Sequence, residues 1–208
     1  MMSLVLKDLL NLQSYLKTII VFVVFYSILS FTMDDVSFVA GMLIILFAMI
    51  PISSFTYDQQ AKWDVFGHTL PVTRKQMVQS KYVVALLFIV IGLVISLIIT
   101  ITVTFIKESS VEVIGLFASN SMVASVGLIL LAVMLPLIYK FGVEKSRIML
   151  LAISSIPIIA LLLLSNLGVT IPSNIDWQNV TYIIPVIALV VFTISYFISH
   201  NIYDNKDF

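Results

Sequence analysis

The chain has 208 residues, 61% of them hydrophobic, and its 11 basic and 11 acidic side chains cancel to a formal net charge of zero. Soluble domains average roughly 45–50% apolar and about 25% charged residues, so 11% charged residues and a mean hydropathy of +1.14 exclude a soluble enzyme, a disordered segment and a basic nucleic-acid module. The lack of any cysteine excludes a disulfide scaffold, thiolate catalysis and Cys-based metal sites as well.

Residues 2–17 come first in chain order. Leu6, Leu9, Leu10 and Leu16 fall at roughly helical spacing, with Lys7, Asp8, Asn11 and Ser14 on the other side. This pattern predicts an amphipathic helix lying on the inner membrane surface. Beyond it, six runs hold no Asp, Glu, Lys or Arg: Thr18–Met33, Val36–Tyr57, Tyr82–Ile106, Val113–Tyr139, Ile148–Ile175 and Trp177–Tyr203. A membrane helix needs about 20 mostly apolar residues. Five runs meet this easily. The first is short, but Tyr15 and Leu16 extend it and Lys17 can snorkel. None alternates as membrane β-strands do. The first run ends in Thr32-Met33-Asp34-Asp35, without a small-residue cleavage site, and is expected to be a permanent helix. The prediction is an all-α membrane protein, one membrane domain over 1–208, with six spans near 18–33, 36–57, 82–106, 119–139, 148–167 and 180–200.

The segment 58–81, between the second and third spans, is the longest charged one. Asp58 to Phe66 predicts a short helix with Trp63 and Phe66 three apart on one face, ended by Gly67. Thr73 and Gln76 have capping-box spacing, and Val72 and Met77 stand where a hydrophobic staple places its pair. Pro71 keeps Leu70 extended. A helix starting after Thr73 can run unbroken to Ile106, roughly 50 Å at 1.5 Å per residue, longer than the ~30 Å hydrocarbon core. It should project from the membrane, with the Trp63 helix before it. Trp63 and Phe66 either form a partner-docking surface or lie back on lipid headgroups.

Within the third span, Gly92, Ser96, Thr100 and Thr104 make a small, weakly polar stripe. Such a stripe serves packing within the subunit, a subunit interface or a pathway lining. Pro51, Pro136, Pro157 and Pro185 lie in four different spans, where each kinks its helix for static packing or for rocking motion.

Charge partition gives the orientation. With the N-terminus inside, the inner segments carry Lys7, Lys17, Lys62, Arg74, Lys75, Lys81, Lys140, Lys145, Arg147 and Lys206, and the outer ones only Lys107. The excess of basic residues places both termini in the cytoplasm. The acidic residues Asp34, Asp35, Glu108, Glu112 and Asp176 then rim the outer face. Tyr15, Tyr57, Tyr82, Tyr139 and Tyr203 fall at inner helix ends, and Trp177 and Tyr182 near an outer one, as interfacial belts do. No Asp, Glu, Lys or Arg lies inside a run, and His200 sits near the inner end of the last, which argues against ion-coupled transport by this chain alone. Na⁺ binding at broken-helix carbonyls stays open. There is no phosphate-loop motif and no H-E-x-x-H, and His68 and His200 stand alone in separate regions. No catalytic residue and no metal site are expected. A motor for uphill transport must be another polypeptide.

The segment from Tyr57 to Tyr82, Y-D-Q-Q-A-K-W-D-V-F-G-H-T-L-P-V-T-R-K-Q-M-V-Q-S-K-Y, resembles the second-to-third-span region of bacterial ABC-2-type transporter permeases. In particular it resembles the small six-span permeases that pair with separate ATPases, such as phenol-soluble-modulin and antimicrobial-peptide exporter permeases. The Tyr57-Asp58 pair, Trp63, Leu70-Pro71-Val72 with Arg74, and Ser80-Lys81-Tyr82 carry the likeness, together with the six-span plan and the N-terminal helix. The resemblance implies a membrane subunit that dimerises with a second copy or a sister permease. Two cytoplasmic ATPases supplying ATP and Mg²⁺ chemistry would bind below, and the cargo would be amphipathic peptides or lipid-linked molecules. It implies a coupling helix at about Asp58–His68, with Tyr57, Asp58, Trp63, Asp64, Phe66, Leu70, Pro71 and Arg74 as coupling residues and a rigid-body shift passed along the third span. The alternatives are a membrane immunity or assembly scaffold protein and an ion-driven carrier.

Overall fold

The computed structural model describes residues 1–33, 36–67, 69, 71–107, 113–166 and 177–206, with backbone alone at 64, 65, 113, 157, 158, 160–162, 164–166 and 177–180. Asp34, Asp35, His68, Leu70, Glu108, Glu112 and Asp176 lie outside the described residues, as do the side chains of Asp64, Pro157 and Trp177.

All regular structure among the described residues is helical. It runs as α1 (Met2–Leu12), a 3₁₀ turn (Gln13–Tyr15), α2 (Leu16–Thr32), α3 (Val36–Gln60), α4 (Trp63–Gly67), α5 (Arg74–Ile106), α6 (Val113–Phe141), α7 (Val143–Asn166) and α8 (Trp177–Asp204). Five helical stretches are long and apolar enough to cross a membrane: Met2–Thr32, Val36–Gln60, Arg74–Ile106, Ile114–Phe141 and Thr181–Asp204. Much of their outward surface is apolar. Ile20, Val21, Val24, Phe25 and Ile28 are exposed on α2, and Val186, Val190, Ile194 and Phe197 on α8. In water such a surface would aggregate; against lipid tails it carries no penalty.

The helices alternate in direction. Tyr82, near the start of α5, bonds Ser195 and Ser199 near the end of α8. Tyr139 near the end of α6 packs edge-on against both Phe55 of α3 and Tyr203 of α8. Leu4 and Tyr203 share one core cluster. One end of the bundle, here called basal, thus gathers α1, the end of α3, the start of α5 and the ends of α6 and α8. At the opposite end, Lys107 donates to the Met33 carbonyl, joining the far ends of α5 and α2.

Local sequence explains the joints. Thr73 takes extended dihedrals, its Oγ1 accepts from the Gln76 N–H at 3.3 Å, and Gln76 Oε1 accepts from the Thr73 N–H at 3.3 Å. Two otherwise unpaired donors are satisfied reciprocally, and α5 then runs unbroken for 33 residues, about 50 Å. Gly142 alone joins α6 to α7. Its φ of +83° lies in the left-handed region that glycine tolerates. Gln59 covers this turn, its Oε1 accepting from the Val143 N–H at 3.5 Å. At Gly92, α3 and α5 nearly touch, since a Cβ there would sit 2.7 Å from the Phe47 Cβ. Small residues permit this approach.

Two expectations need correction. Tyr82, Tyr139 and Tyr203 are buried inside the bundle rather than set in an interfacial belt; they pack on one another's neighbours because α6 and α8 close over them. Tyr182 is exposed. Asp8 also faces inward. Asp8 is buried against the bundle and Lys7 and Asn11 are partly so, Ser14 is exposed, and Leu6, Leu10 and Leu16 are exposed as well.

Candidate functional site

The basal end holds a cluster of buried charges. Asp8 is fully buried, with Asp58 and Lys81 less than a tenth exposed. Lys81 Nζ lies 2.9 Å from Asp8 Oδ1, 2.5 Å from Asp58 Oδ2 and 2.7 Å from Ser54 Oγ, which uses all three of its protons. Ser54 in turn donates to Asp8 Oδ1 at 2.9 Å. Lys7 Nζ closes the ring, 2.7 Å from Asp58 Oδ1 and 3.1 Å from Asp8 Oδ1. Two cations meet two anions, so the cluster is neutral. That balance is what makes its burial tolerable, since an unpaired charge here would carry the full desolvation cost. Asp8 Oδ2 is buried without a hydrogen-bond partner among the described residues.

The cluster fixes the course of α1. Lys7, Asp8 and Ser14 meet Asp58, Ser54 and Tyr57 respectively. The polar contacts from Lys7 to Ser14 thus fall on little more than one turn of α3, while Leu12 packs in the cluster with Leu43, Phe47 and Ile50. After the 3₁₀ turn, α2 packs along α3, with Tyr15, Ile19, Val23 and Tyr26 against the cluster that includes Leu43, Phe47 and Ile50.

The same cluster holds α4. Lys7 Nζ sits 4.1 Å from the centroid of the Trp63 ring, a cation–π contact. Trp63 is half-buried against the main core and tilts against Phe66 at 5.5 Å. Phe66 itself is 56% exposed. The expected pair of exposed aromatics therefore divides: Trp63 anchors the helix and Phe66 presents it. The short helix is also shorter than expected. Asp58, Gln59 and Gln60 belong to α3, and Lys62 at φ 50° breaks the chain before Trp63. Gly67 ends α4 against Met77, whose Cε is 2.8 Å from a Cβ built there.

The other sequence-predicted residues are dispersed. Tyr57 reaches Ser14 at 3.2 Å and Tyr15 at a ring distance of 6.1 Å. Pro71 is exposed. Arg74 donates to the carbonyls of Tyr203, at 3.4 Å, and Asp204, where a cation complements the helix C-terminus. Gly92, Ser96, Thr100 and Thr104 are all buried. Ser96 Oγ donates to Asn120 Oδ1 on α6, and Thr100 and Thr104 bond back to the carbonyls four residues earlier. In this structure the stripe packs α5 on α3 and α6.

Sequence reasoning missed Asp8, Lys81 and Ser54 as one unit. The signal was present. Leu4-Asp8-Leu12 and Met77-Lys81-Ala85 each place a charge midway along an apolar row of four-residue spacing, with opposite signs on the two helices. Such a row is a buried face, and a buried charge calls for a partner.

Among the described residues no group of three or more His, Cys, Asp or Glu could hold a metal ion. No curated protein and no solved structure matches the chain. A family model described as ABC-2 family transporter protein matches residues 3–204.

Proposed function

As a member of the ABC-2 transporter family, the chain is a multi-pass membrane permease component of an ABC transporter, and we propose that it is the membrane subunit of an ATP-driven exporter of amphipathic peptides or other hydrophobic substrates. It works as a pair, with a second copy or a sister permease, in a bacterial cell membrane. ATP is hydrolysed by a separate cytoplasmic ATPase. In this reading the basal end faces the cytoplasm, α7 completes a set of six spans, and α4 is the coupling helix.

The observation that carries this reading is the fixing of α4 to α1, α3 and α5 through Lys7. The Lys7 ammonium touches the Trp63 ring and both carboxylates of the buried cluster. A push on the exposed Phe66 moves Trp63. Trp63 moves Lys7, and Lys7 cannot leave Asp8 and Asp58 without leaving two buried carboxylates to share Lys81 alone. Force on a five-residue helix is thereby delivered to the 33-residue α5, whose length carries it across the membrane as a rigid-body displacement. Gly92 against Phe47, and Ser96 against Asn120, lock α3 and α6 to that motion.

The test is ATP-dependent export in cells or proteoliposomes containing the ATPase that copurifies with the chain. Phe66→Ala is expected to lower export at least severalfold while membrane insertion and protein level stay at wild type. Unchanged export in Phe66→Ala, or purification with no ATPase under conditions that keep the permease folded, refutes the reading.

A further inference from the structure

Away from the charge cluster, the basal part of α8 carries a second polar site. Tyr196, His200 and Asp204 follow one another at four-residue spacing on a single face of α8, and Lys75 from the first turn of α5 stands beside them. Together with Phe197 and Asn201 they line an open cavity of about 330 Å³. His200 Nδ1 is 2.8 Å from Asp204 Oδ2, so its Nδ1–H is committed to that carboxylate and Nε2 remains. The imidazole stands edge-on to the Tyr196 ring at 6.2 Å. The Tyr196 hydroxyl is buried and has no hydrogen-bond partner among the described residues. A buried phenol with nothing to donate to is unusual enough to ask for an acceptor. Lys75 is exposed and makes no ion pair among the described residues.

We infer that this cavity binds the headgroup phosphate of an anionic phospholipid. Two of its lining residues bring donors: the Lys75 ammonium, and the buried Tyr196 hydroxyl, which gains an acceptor when a headgroup oxygen reaches it. The Lys75 ammonium supplies the positive charge that a phosphodiester pairs with. A free phosphate would satisfy the same donors. The surroundings favour the lipid. One wall is the ring of Phe197, 65% exposed, and Ile194, Val190 and Val186 continue an exposed apolar track along α8 away from the basal end. A headgroup held at Lys75 would leave its acyl chains lying on that track, at the depth where basic and aromatic side chains meet headgroups. Assignment to the inner leaflet rests on the orientation under Proposed function; the binding does not, and it can be read in detergent without any ATPase.

The experiment is native mass spectrometry of the detergent-purified chain titrated with phosphatidylglycerol, with phosphatidylcholine as the zwitterionic comparison and inorganic phosphate as competitor. Phosphatidylglycerol should be retained in preference to phosphatidylcholine. The variants Lys75→Gln and Tyr196→Phe, neither of which removes core volume, should each weaken its binding by about tenfold, the loss of one charge-assisted or buried hydrogen bond. Lys145→Gln, at the start of α7, should leave it unchanged. Millimolar phosphate should not displace the lipid. Equal binding of phosphatidylglycerol by wild type, Lys75→Gln and Tyr196→Phe overturns the inference, as does full displacement by inorganic phosphate, which would leave an anion site with no role for the acyl chains.

Discussion

Replacing Asp8 by asparagine keeps the shape of the buried cluster and removes one of its two negative charges. In the folded chain Asp8 Oδ1 is 2.9 Å from Lys81 Nζ and 3.1 Å from Lys7 Nζ. Each contact is worth about 6 kcal/mol of Coulomb energy at an effective dielectric near 20. Desolvation of the carboxylate and its repulsion by Asp58 cancel much of that sum. The residue that decides the net effect is Lys81. The Lys7 side chain is 22% exposed and can turn toward water, but Lys81 is 9% exposed and held by Ser54 and Asp58. Breaking a buried pair costs about 3–5 kcal/mol, and Lys81 keeps Asp58 as its one remaining carboxylate. The introduced amide can still accept one hydrogen bond from Lys81, which places the expected loss at the lower end, about 3 kcal/mol. Reversible unfolding in mixed micelles, followed by the fluorescence of Trp63 under Lys7, reads this directly. Lys81→Met should cost a similar amount. The double variant Asp8→Asn/Lys81→Met should recover about 2 kcal/mol of the summed loss, because the neutral pair strands nothing. If each single variant unfolds within about 1 kcal/mol of wild type, or if the two losses simply add, the cluster is not the electrostatic unit described above.

Two further predictions concern helix joints. Gly92→Ala places a Cβ 2.7 Å from the Phe47 Cβ, and the α3–α5 contact must open; about 1–3 kcal/mol of stability should be lost in the same unfolding assay. Thr73→Ala removes the acceptor for the Gln76 N–H and breaks the reciprocal cap at the start of α5. It should cost about 1 kcal/mol and speed amide exchange in the first turn of α5 while leaving the segment beyond Tyr82 protected.

The parts of the fold that are legible from sequence depend on local chemistry. The capping box at Thr73 and the uninterrupted helix to Ile106 follow from spacing and the absence of breakers. The stripe from Gly92 to Thr104 shows its small size in sequence, but not which neighbour it serves, because Phe47 and Asn120 are brought to it only by tertiary packing. The tyrosines at helix ends mislead for a similar reason. An amphipathic ring at a helix terminus suits both a headgroup layer and a buried hydroxyl network, and only the closure of α6 and α8 over Tyr82 decides between them. Asp8 misleads because a charged side chain next to Lys7 on a surface helix has an ordinary solvated reading. Its partner lies 73 residues away on α5, and the Leu4-Asp8-Leu12 row shows that Asp8 needs a partner without showing which one.

The distance along the chain between Asp8 and Lys81 has a consequence for biosynthesis. The hydrogen bonds that seat α1 reach 46 residues forward to Ser54, 51 to Asp58 and 73 to Lys81. α1 leaves the ribosome well before its partners, and Lys7 and Asp8 must wait in water or among headgroups until the start of α5 has emerged. Docking α1 closes the longest of these loops, so it reports that the N-terminal half has been assembled in order. A chain halted before Lys81 would keep α1 free and open to protease, and one released past it would not.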